Sequence, residues 1–153
     1  MDGETLVAGC EDHALKVVDV EKSYIVKQSV LTQHKVPTCI DTAHGNLILS
    51  GSEDAVIRLW DLRQERIARK LPVFDGHSRW ISSVKFNAQV ENVFISSSLD
   101  GTVKLWDLRN DESPLANLKH KSQDEYMVFA AEWNGASQIL SGGSDSHICV
   151  HSM

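Results

Sequence analysis

The segment GSEDAVIRLWDLR, residues Gly51–Arg63, recurs almost unchanged as SSLDGTVKLWDLR at residues Ser97–Arg109. Each copy begins with a short polar turn that ends in aspartate and continues as an apolar run that closes in Trp-Asp. Apolar runs rich in β-branched residues, bounded by Gly, Ser and Asp, are typical of strands that follow tight turns. The segment therefore predicts a turn followed by a β-strand, repeated along the chain.

Two weaker copies of this segment flank the pair, GCEDHALKVVDV at Gly9–Val20 and GGSDSHICVHS at Gly142–Ser152. The turn aspartates of the four copies, separated by 42, 46 and 45 residues, are Asp12, Asp54, Asp100 and Asp145. A period in the forties with Trp-Asp closing a strand is typical of β-propeller blades. The sequence thus predicts a run of such blades.

The predicted strands divide the 153 residues into four blades, at about 1–31, 32–74, 75–119 and 120–153. Strand-forming runs indicate two complete four-stranded blades between two three-stranded, partial ones; in the second blade the outermost run is Ile67–Leu71. We therefore expect an all-β fold, a propeller portion of about four blades.

The strand VIRLWD, Val56–Asp61, places apolar side chains on both of its faces. A strand covered on one face only would alternate with polar residues, so this pattern predicts a blade packed between two others. Arg58 and its counterpart Lys104 are expected to lie along that surface with their charged tips in water.

Composition limits the classes of function that are open to this chain. A formal net charge of −6 argues against a general nucleic-acid or anionic-membrane binder, since both need a positive surface. Cys10, Cys39 and Cys149 form no CxxC pair, which suits a reducing compartment. The first twenty residues show no secretory signal, and the apolar runs are too short to span a bilayer. These features predict an intracellular, soluble protein without a membrane partner.

A set of polar residues recurs with the turns, namely a histidine before the first strand, a serine closing the second, the turn aspartate and the tryptophan. Its members are His34, Ser50, Asp54 and Trp60 in the second blade and His77, Ser96, Asp100 and Trp106 in the third. This framing resembles the WD-repeat family, where the resemblance implies a hydrogen-bonded network that ties the strands of a blade together. The first and last blades depart from the pattern, with Val18 and His151 at the tryptophan position, and are expected to rely on apolar packing.

Ser, His and Asp together also suggest nucleophilic catalysis, but an enzyme needs one such site whereas this set repeats in successive blades. Cys149 and His151 fall on one side of a strand without a second pair at metal-ligand spacing. We therefore expect no catalytic residue, no cofactor and no metal site.

The two Trp-Asp-Leu-Arg endings, at Arg63 and Arg109, resemble the docking signature of WD-repeat substrate receptors on cullin-type ubiquitin ligases. The alternative is that each arginine pairs with an acidic group at the blade rim, for which its fork of donors is well suited. We favour the second interpretation because this ending is common among WD repeats.

Longer phrases resemble the C-terminal blades of the WD-repeat subunits of PeBoW-type complexes, among them LVAGCEDHALKVVDVEKS, GHSRWISSVKF and AEWNGASQILSGGSD. This resemblance implies a non-catalytic, protein-binding scaffold in ribosomal large-subunit assembly and pre-rRNA processing, in the nucleus and nucleolus. The implied partners are subunits of a pre-ribosomal assembly complex, with no direct nucleic-acid contact. It also implies a seven-bladed ring after a ubiquitin-like domain that engages the remodelling ATPase midasin, of which this chain would hold a fragment of the ring.

Glu53, Arg79, Trp80 and Leu99 are the candidate partner-binding residues. In the family their positions reach the narrower, top face of the ring, and Trp and Arg often dominate interface energies. The competing interpretation is that Trp80 packs against the next blade as core.

Incomplete blades at both ends predict self-association. An open arc would expose an apolar blade face at each end and an unpaired strand edge at Val150. The segment Lys121–Tyr126 lengthens the connection before the last blade and is expected to be an exposed loop.

Overall fold

The computed structural model of the protein describes residues 5–20, 24–29, 35–43, 46–63, 73–110, 112–119 and 126–153. All of the regular secondary structure in these ranges is β-strand. No helix in this part of the chain is long and apolar enough to cross a membrane.

The strands form four antiparallel sheets in chain order. Sheet 1 contains β1 (Thr5–Gly9), β2 (Leu15–Asp19) and β3 (Tyr24–Ser29). Sheet 2 contains β4 (Pro37–Ala43), β5 (Leu47–Ser52), β6 (Ile57–Asp61) and β7 (Val73–Phe74). Sheet 3 contains β8 (Ile81–Phe86), β9 (Val93–Ser98), β10 (Thr102–Asp107) and β11 (Ala116–Lys119). Sheet 4 contains β12 (Val128–Asn134), β13 (Gln138–Gly143) and β14 (Ile148–Ser152).

This architecture confirms the predicted all-β fold of four consecutive sheets, which have three, four, four and three strands among the described residues. The predicted strand Ile67–Leu71 lies outside the described residues, and the described fourth strand of sheet 2 is the short β7. Most of the predicted loop Lys121–Tyr126 also lies outside them.

The turn aspartates have the same structural role in all four sheets. Each carboxylate accepts a hydrogen bond from the backbone N–H two residues on, in the pairs Asp12–Ala14, Asp54–Val56, Asp100–Thr102 and Asp145–His147, at 3.0–3.3 Å. The residue after each aspartate has a left-handed φ of 61–82°, in His13, Ala55, Gly101 and Ser146. Aspartate stabilises such reversals by bonding its own backbone, so each turn directs the chain into the next strand.

Apolar contacts between consecutive sheets form the core. We call the face that a sheet turns to the next sheet its forward face, and the opposite one its backward face. Leu15 and Val17 on the forward face of sheet 1 pack with Ile48 and Trp60 on the backward face of sheet 2. The sheet 2–3 contact buries Leu49, Ile57, Phe74, Ile81, Val84, Phe94 and Trp106, and the sheet 3–4 contact buries Ile95, Val103, Leu105, Val128, Ala131 and Ile139. The two middle sheets are therefore buried on both faces, as the strand VIRLWD predicts.

The first strands of sheets 2, 3 and 4, which are edge strands, are also joined by hydrogen bonds. Thr38 Oγ1 donates to the carbonyl of Ile81 at 2.5 Å, which links β4 to β8. Ser82 Oγ donates to the carbonyl of Val128 at 2.7 Å, which links β8 to β12. Trp133 Nε1 donates to the carbonyl of Lys85 at 3.1 Å in the same pair of strands. Side chains thus satisfy backbone groups that have no neighbouring strand to bond.

Gly51 provides a test of how closely the sheets pack. A Cβ at this position would lie 2.4 Å from Ile81 Cγ2 and 2.7 Å from Cys39 Sγ, whereas at Gly142 the nearest such atom is 3.9 Å away. We predict that Gly51→Ala lowers the free energy of unfolding by about 2 kcal/mol through overpacking. The matched Gly142→Ala should stay within about 0.5 kcal/mol of the unaltered chain. Urea denaturation measures both, and equal effects would contradict this packing.

Recurring polar network and candidate binding surface

In sheet 3 the structure brings together all four members of the recurring polar set. His77 Nδ1 lies 2.8 Å from Asp100 Oδ2, and His77 Nε2 lies 2.8 Å from Ser96 Oγ. Trp106 Nε1 donates to the same Ser96 Oγ at 2.8 Å. Ser96 and Trp106 are fully buried. This chain of bonds connects the segment before β8 to β9, the following turn and β10.

Asp100 is held as a carboxylate by its surroundings. Burial acts to raise the pKa of Asp100, but hydrogen bonds from His77 and Thr102 outweigh burial and hold it well below the usual range. Thr102 Oγ1 donates to Asp100 Oδ1 at 2.6 Å, and the backbone N–H of Ser78 donates to Asp100 Oδ2 at 3.0 Å. The charged form of Asp100 is therefore favoured in the folded state.

In sheet 2 the turn aspartate has an arginine among its described partners. Trp60 Nε1 donates to Ser50 Oγ at 2.8 Å, as in sheet 3, but His34 lies outside the described residues. Asp54 pairs with Arg58, whose Nη2 donates to Asp54 Oδ2 at 2.7 Å in a largely buried ion pair. The guanidinium of Arg58 is thus held by Asp54, a contact that the sequence did not predict, and the Arg58 side chain is 14% exposed. Its counterpart Lys104 is only 7% exposed.

Sheet 4 also departs from the sequence expectation. His151 stands at the tryptophan position, and its Nε2 lies 3.2 Å from Ser141 Oγ. Sheet 4 does pack on sheet 3 through Val128, Ala131 and Ile139, as expected. The contact between His151 and Ser141 adds a polar link that the sequence did not predict, since an imidazole nitrogen can replace the indole as the partner of the serine. His120, which precedes the first strand of this sheet in the sequence as His77 does in sheet 3, lies outside the described residues. Among the described residues there is no group of three or more His, Cys, Asp or Glu suited to a metal ion.

The two Trp-Asp-Leu-Arg arginines each form a fork with the aspartate two residues earlier. Arg63 Nε and Nη2 lie 2.9 and 2.7 Å from the two carboxylate oxygens of Asp61. The corresponding distances between Arg109 and Asp107 are 2.8 and 2.5 Å, and the hydrogen bonds from Arg109 lower the pKa of Asp107 to about 2. The predicted pairing of each arginine with an acidic group at the blade rim is confirmed.

Trp80 and its neighbours lie at one end of sheets 2 and 3. Trp80 is 50% exposed, its carbonyl accepts from the N–H of Leu99 at 3.0 Å, and Arg79 Nη1 reaches the carbonyl of Leu99 at 3.5 Å. Gly51 abuts Ile81, so Glu53, two residues beyond Gly51, comes to the same end as Trp80. We call Glu53, Arg79, Trp80 and Leu99 the Trp80 surface. A purely internal packing role for Trp80 does not fit its exposure.

A cavity of about 270 Å³ opens at the other end of the same two sheets. Its lining includes Leu47, Arg63, Phe86 and Leu108, which lie at or beyond the opposite ends of β5, β6, β8 and β10. The Trp80 surface and the cavity therefore occupy opposite ends of the strands.

We predict that Trp106→Ala lowers the free energy of unfolding by about 2–4 kcal/mol, because it removes buried aromatic surface and leaves Ser96 without its indole donor. Arg63→Ala should change it by no more than about 0.5 kcal/mol, since the Arg63 side chain is 66% exposed. Denaturant titrations compare the two, and an Arg63 effect as large as that of Trp106 would contradict a rim position.

The lowered pKa of Asp100 predicts how the stability of the fold depends on pH. An unfolded aspartate takes up a proton near pH ~4, whereas the lowered pKa keeps folded Asp100 charged. Its contribution to stability is thus complete above about pH 4 and is lost as the pH falls further. Asp100→Asn should reduce the slope of stability against pH in that acidic range. Urea titrations at a series of acidic pH values measure the slope, and an unchanged slope would exclude this role.

Comparison with known proteins places these features in a family. The model for "WD domain, G-beta repeat" matches residues 26–61 and 68–107. The ribosome biogenesis protein WDR12 homolog of Aedes aegypti is 34% identical over 98% of this chain and 34% of its own length. The protein of the same name from Brugia malayi is 38% identical over 88% of this chain and 30% of its own length. The chain thus spans about a third of the length of these curated relatives.

Among solved structures, the crystal structure of the computationally designed Ika4 protein matches with a TM-score of 0.79 and 21% identity. The match covers 100% of this chain and 88% of that one, and it bears on the fold alone. The repeated Trp-Asp strands, the stacked four-sheet architecture and the matching repeats lead to one conclusion: the chain belongs to the WD-repeat family of β-propeller proteins.

Proposed function

We propose that this chain is a non-catalytic protein-interaction scaffold that acts in ribosomal large-subunit assembly and pre-rRNA processing. The observation that carries the proposal is the similarity, over 98% of the chain, to proteins named for ribosome biogenesis. The chain is proposed to act in the nucleus and nucleolus, where its partners are subunits of a pre-ribosomal assembly complex.

The Trp80 surface is the proposed contact for those partners. Trp80 offers a large apolar face that is half exposed, and the exposed Arg79 next to it can bond carboxylates or carbonyls. Both side chains project from backbone that is fixed by the bond between Leu99 and Trp80. A rigid backbone that presents adaptable side chains favours binding, because little conformational entropy is lost when the partner docks.

The buried state of the Ser, His and Asp set supports a role without catalysis. Ser96 is 0% exposed, and its oxygen is already engaged by His77 and Trp106. A nucleophile must reach its substrate, and this hydroxyl is enclosed between strands. The geometry therefore favours a structural role for the set.

A ubiquitin-ligase substrate receptor is the alternative, and the comparisons do not favour it. Its signature arginines, Arg63 and Arg109, each form an ion pair with the aspartate two residues earlier. We further propose that the chain associates with itself through its exposed sheet faces and edges.

Affinity purification of the tagged chain from its native cells, followed by mass spectrometry, tests the proposed function. We expect large-subunit assembly factors to co-purify and to be lost from an Arg79→Ala/Leu99→Ala variant that remains folded. The matched control is Lys119→Ala/Leu115→Ala, which removes a cationic and an apolar side chain from exposed positions elsewhere. A control that loses the same proteins would contradict the assignment of the Trp80 surface. Recovery of a ligase adaptor that depends on Arg63 and Arg109, without assembly factors, would favour the alternative.

A further inference from the structure

The cavity between sheets 2 and 3 lies at the end of the strands away from the Trp80 surface, and the proposed function makes no use of it. Both of these sheets pack on a described sheet at each face, so the cavity lies inside the stack. Its half-buried walls are the apolar side chains of Leu47, Phe86, Val93 and Leu108. Its exposed rim carries Arg63, Glu91 and Asn92. Apolar walls below a polar rim are typical of a binding site.

The walls of the cavity continue the core of the sheet 2–3 contact. Phe86 and Leu108 pack against the buried cluster, and the ring of Phe86 meets that of Phe94 edge-on, with centroids 6.4 Å apart. In sheet 4 the position of Phe86 is taken by Trp133, whose indole reaches the preceding sheet and bonds the carbonyl of Lys85. A side chain at this position can therefore span to the preceding sheet, and the gap beside Phe86 is not a requirement of the repeat.

Hydrogen bonds hold the rim of the cavity in place. Asn87 Oδ1 accepts from the backbone N–H groups of Gln89 and Val90 at 2.8 and 2.9 Å, and its Nδ2 donates to the carbonyl of Ala136 at 3.1 Å. The carbonyl of Asn92 accepts from the N–H of Leu108 at 2.7 Å. The loop between β8 and β9 is thus fixed at both of its ends. A preformed cavity of this kind loses little conformational entropy when it is filled.

The charge around the cavity is negative. Arg63 is neutralised by its ion pair with Asp61. Glu91 is exposed on the rim, and Asp41 Oδ2 accepts from the N–H of Phe86 at 2.7 Å. Among the described residues neither of these two carboxylates forms an ion pair with a cation. The electrostatic potential at the cavity therefore favours a ligand with positive charge and disfavours a nucleic acid.

The size of the cavity indicates how large a group it accepts. Its volume is about 270 Å³. An apolar cavity of roughly 150 Å³ already holds a benzene molecule. Sites for whole small ligands usually extend from ~300 to 1,000 Å³. The cavity therefore suits one large apolar side chain better than a complete cofactor.

We propose that this cavity binds an extended segment of a partner protein, with one leucine- or phenylalanine-sized side chain inserted between sheets 2 and 3. A lysine or arginine next to that side chain meets Glu91, and the exposed amide of Asn92 bonds the backbone of the segment. The inference adds a second binding surface at the opposite end of the strands from the Trp80 surface, and it does not depend on the ribosomal role.

Fluorescence anisotropy with labelled peptides and the full purified chain tests the proposal. The probe is Gly-Ser-Lys-Leu-Lys-Ser-Gly, and the two comparison peptides replace its leucine by glycine or both of its lysines by glutamate. We expect the probe to bind at least ~10-fold more tightly than either comparison peptide, because one loses apolar burial and the other places like charges together. The glycine peptide also controls for attraction to the net negative charge of the chain.

Two substitutions locate the binding site. Leu108→Trp fills the cavity, and Glu91→Lys reverses the charge on its rim at an exposed position where the fold is not at risk. Each should raise the dissociation constant of the probe about tenfold or more. The matched controls are Leu115→Trp and Glu11→Lys, which make the same changes at exposed positions elsewhere and should leave binding unaltered. Circular dichroism confirms that each variant is folded.

Amide chemical shifts in nuclear magnetic resonance spectra then show where the probe lies. We expect shifts at Leu47, Val93 and Leu108 and none at Trp80. A probe that binds no better than the glycine peptide, binding that Glu91→Lys does not weaken, or shifts confined to Trp80 would overturn the proposal. So would self-association of the chain that Leu108→Trp abolishes, since a second copy would then occupy the cavity. Recovery of assembly factors by a Leu108→Trp variant that has lost the probe would leave the ribosomal role intact.

Discussion

The structure depends on the stacking of one sheet on the next. A single twisted sheet of three or four short strands cannot enclose an apolar core, so each sheet is stabilised by its neighbours. The clusters at the three junctions contain nearly all of the fully buried large side chains, including Leu15, Ile57 and Trp106. The recurring polar residues of the repeat hold each sheet in the shape that this stacking requires.

Two kinds of polar contact provide that shape. Within a sheet, the turn aspartates and the serine–tryptophan bonds fix the connection between neighbouring strands, as Asp100, Ser96 and Trp106 show. Between sheets, bonds such as Thr38 to Ile81 and Ser82 to Val128 fix one first strand against the next. Because the buried members are bonded to one another, the network adds rigidity without leaving polar groups unsatisfied.

The sequence predicts the features that recur in every sheet and is less informative about the contacts that differ from one sheet to the next. The period of the turn aspartates and the Trp-Asp strands were enough for the fold, the number of sheets and the pairing of Arg63 with Asp61. The Arg58–Asp54 pair and the His151–Ser141 contact were missed, because a motif defined by its usual members does not show which other donor can reach the same acceptor. The bonds between first strands were missed for a different reason. They join residues more than forty positions apart whose proximity follows only from the stacking.

Comparison of equivalent positions in sheets 2, 3 and 4 distinguishes the backbone bonds that all three share from the side chains that differ and can determine which partner binds. The backbone bond between Leu99 and Trp80 recurs as Glu53 to Val36 in sheet 2 and as Ser144 to Met127 in sheet 4, at 2.9–3.2 Å. The backbone at this end of the strands is therefore constant, while the side chains change from sheet to sheet. Packing does not demand an indole here, since Val36 and Met127 occupy the same position in a stack of the same geometry. Trp80 exposes half of its surface to solvent where a smaller residue would serve the fold, and this exposure is the physical basis of the proposal that it contacts a partner.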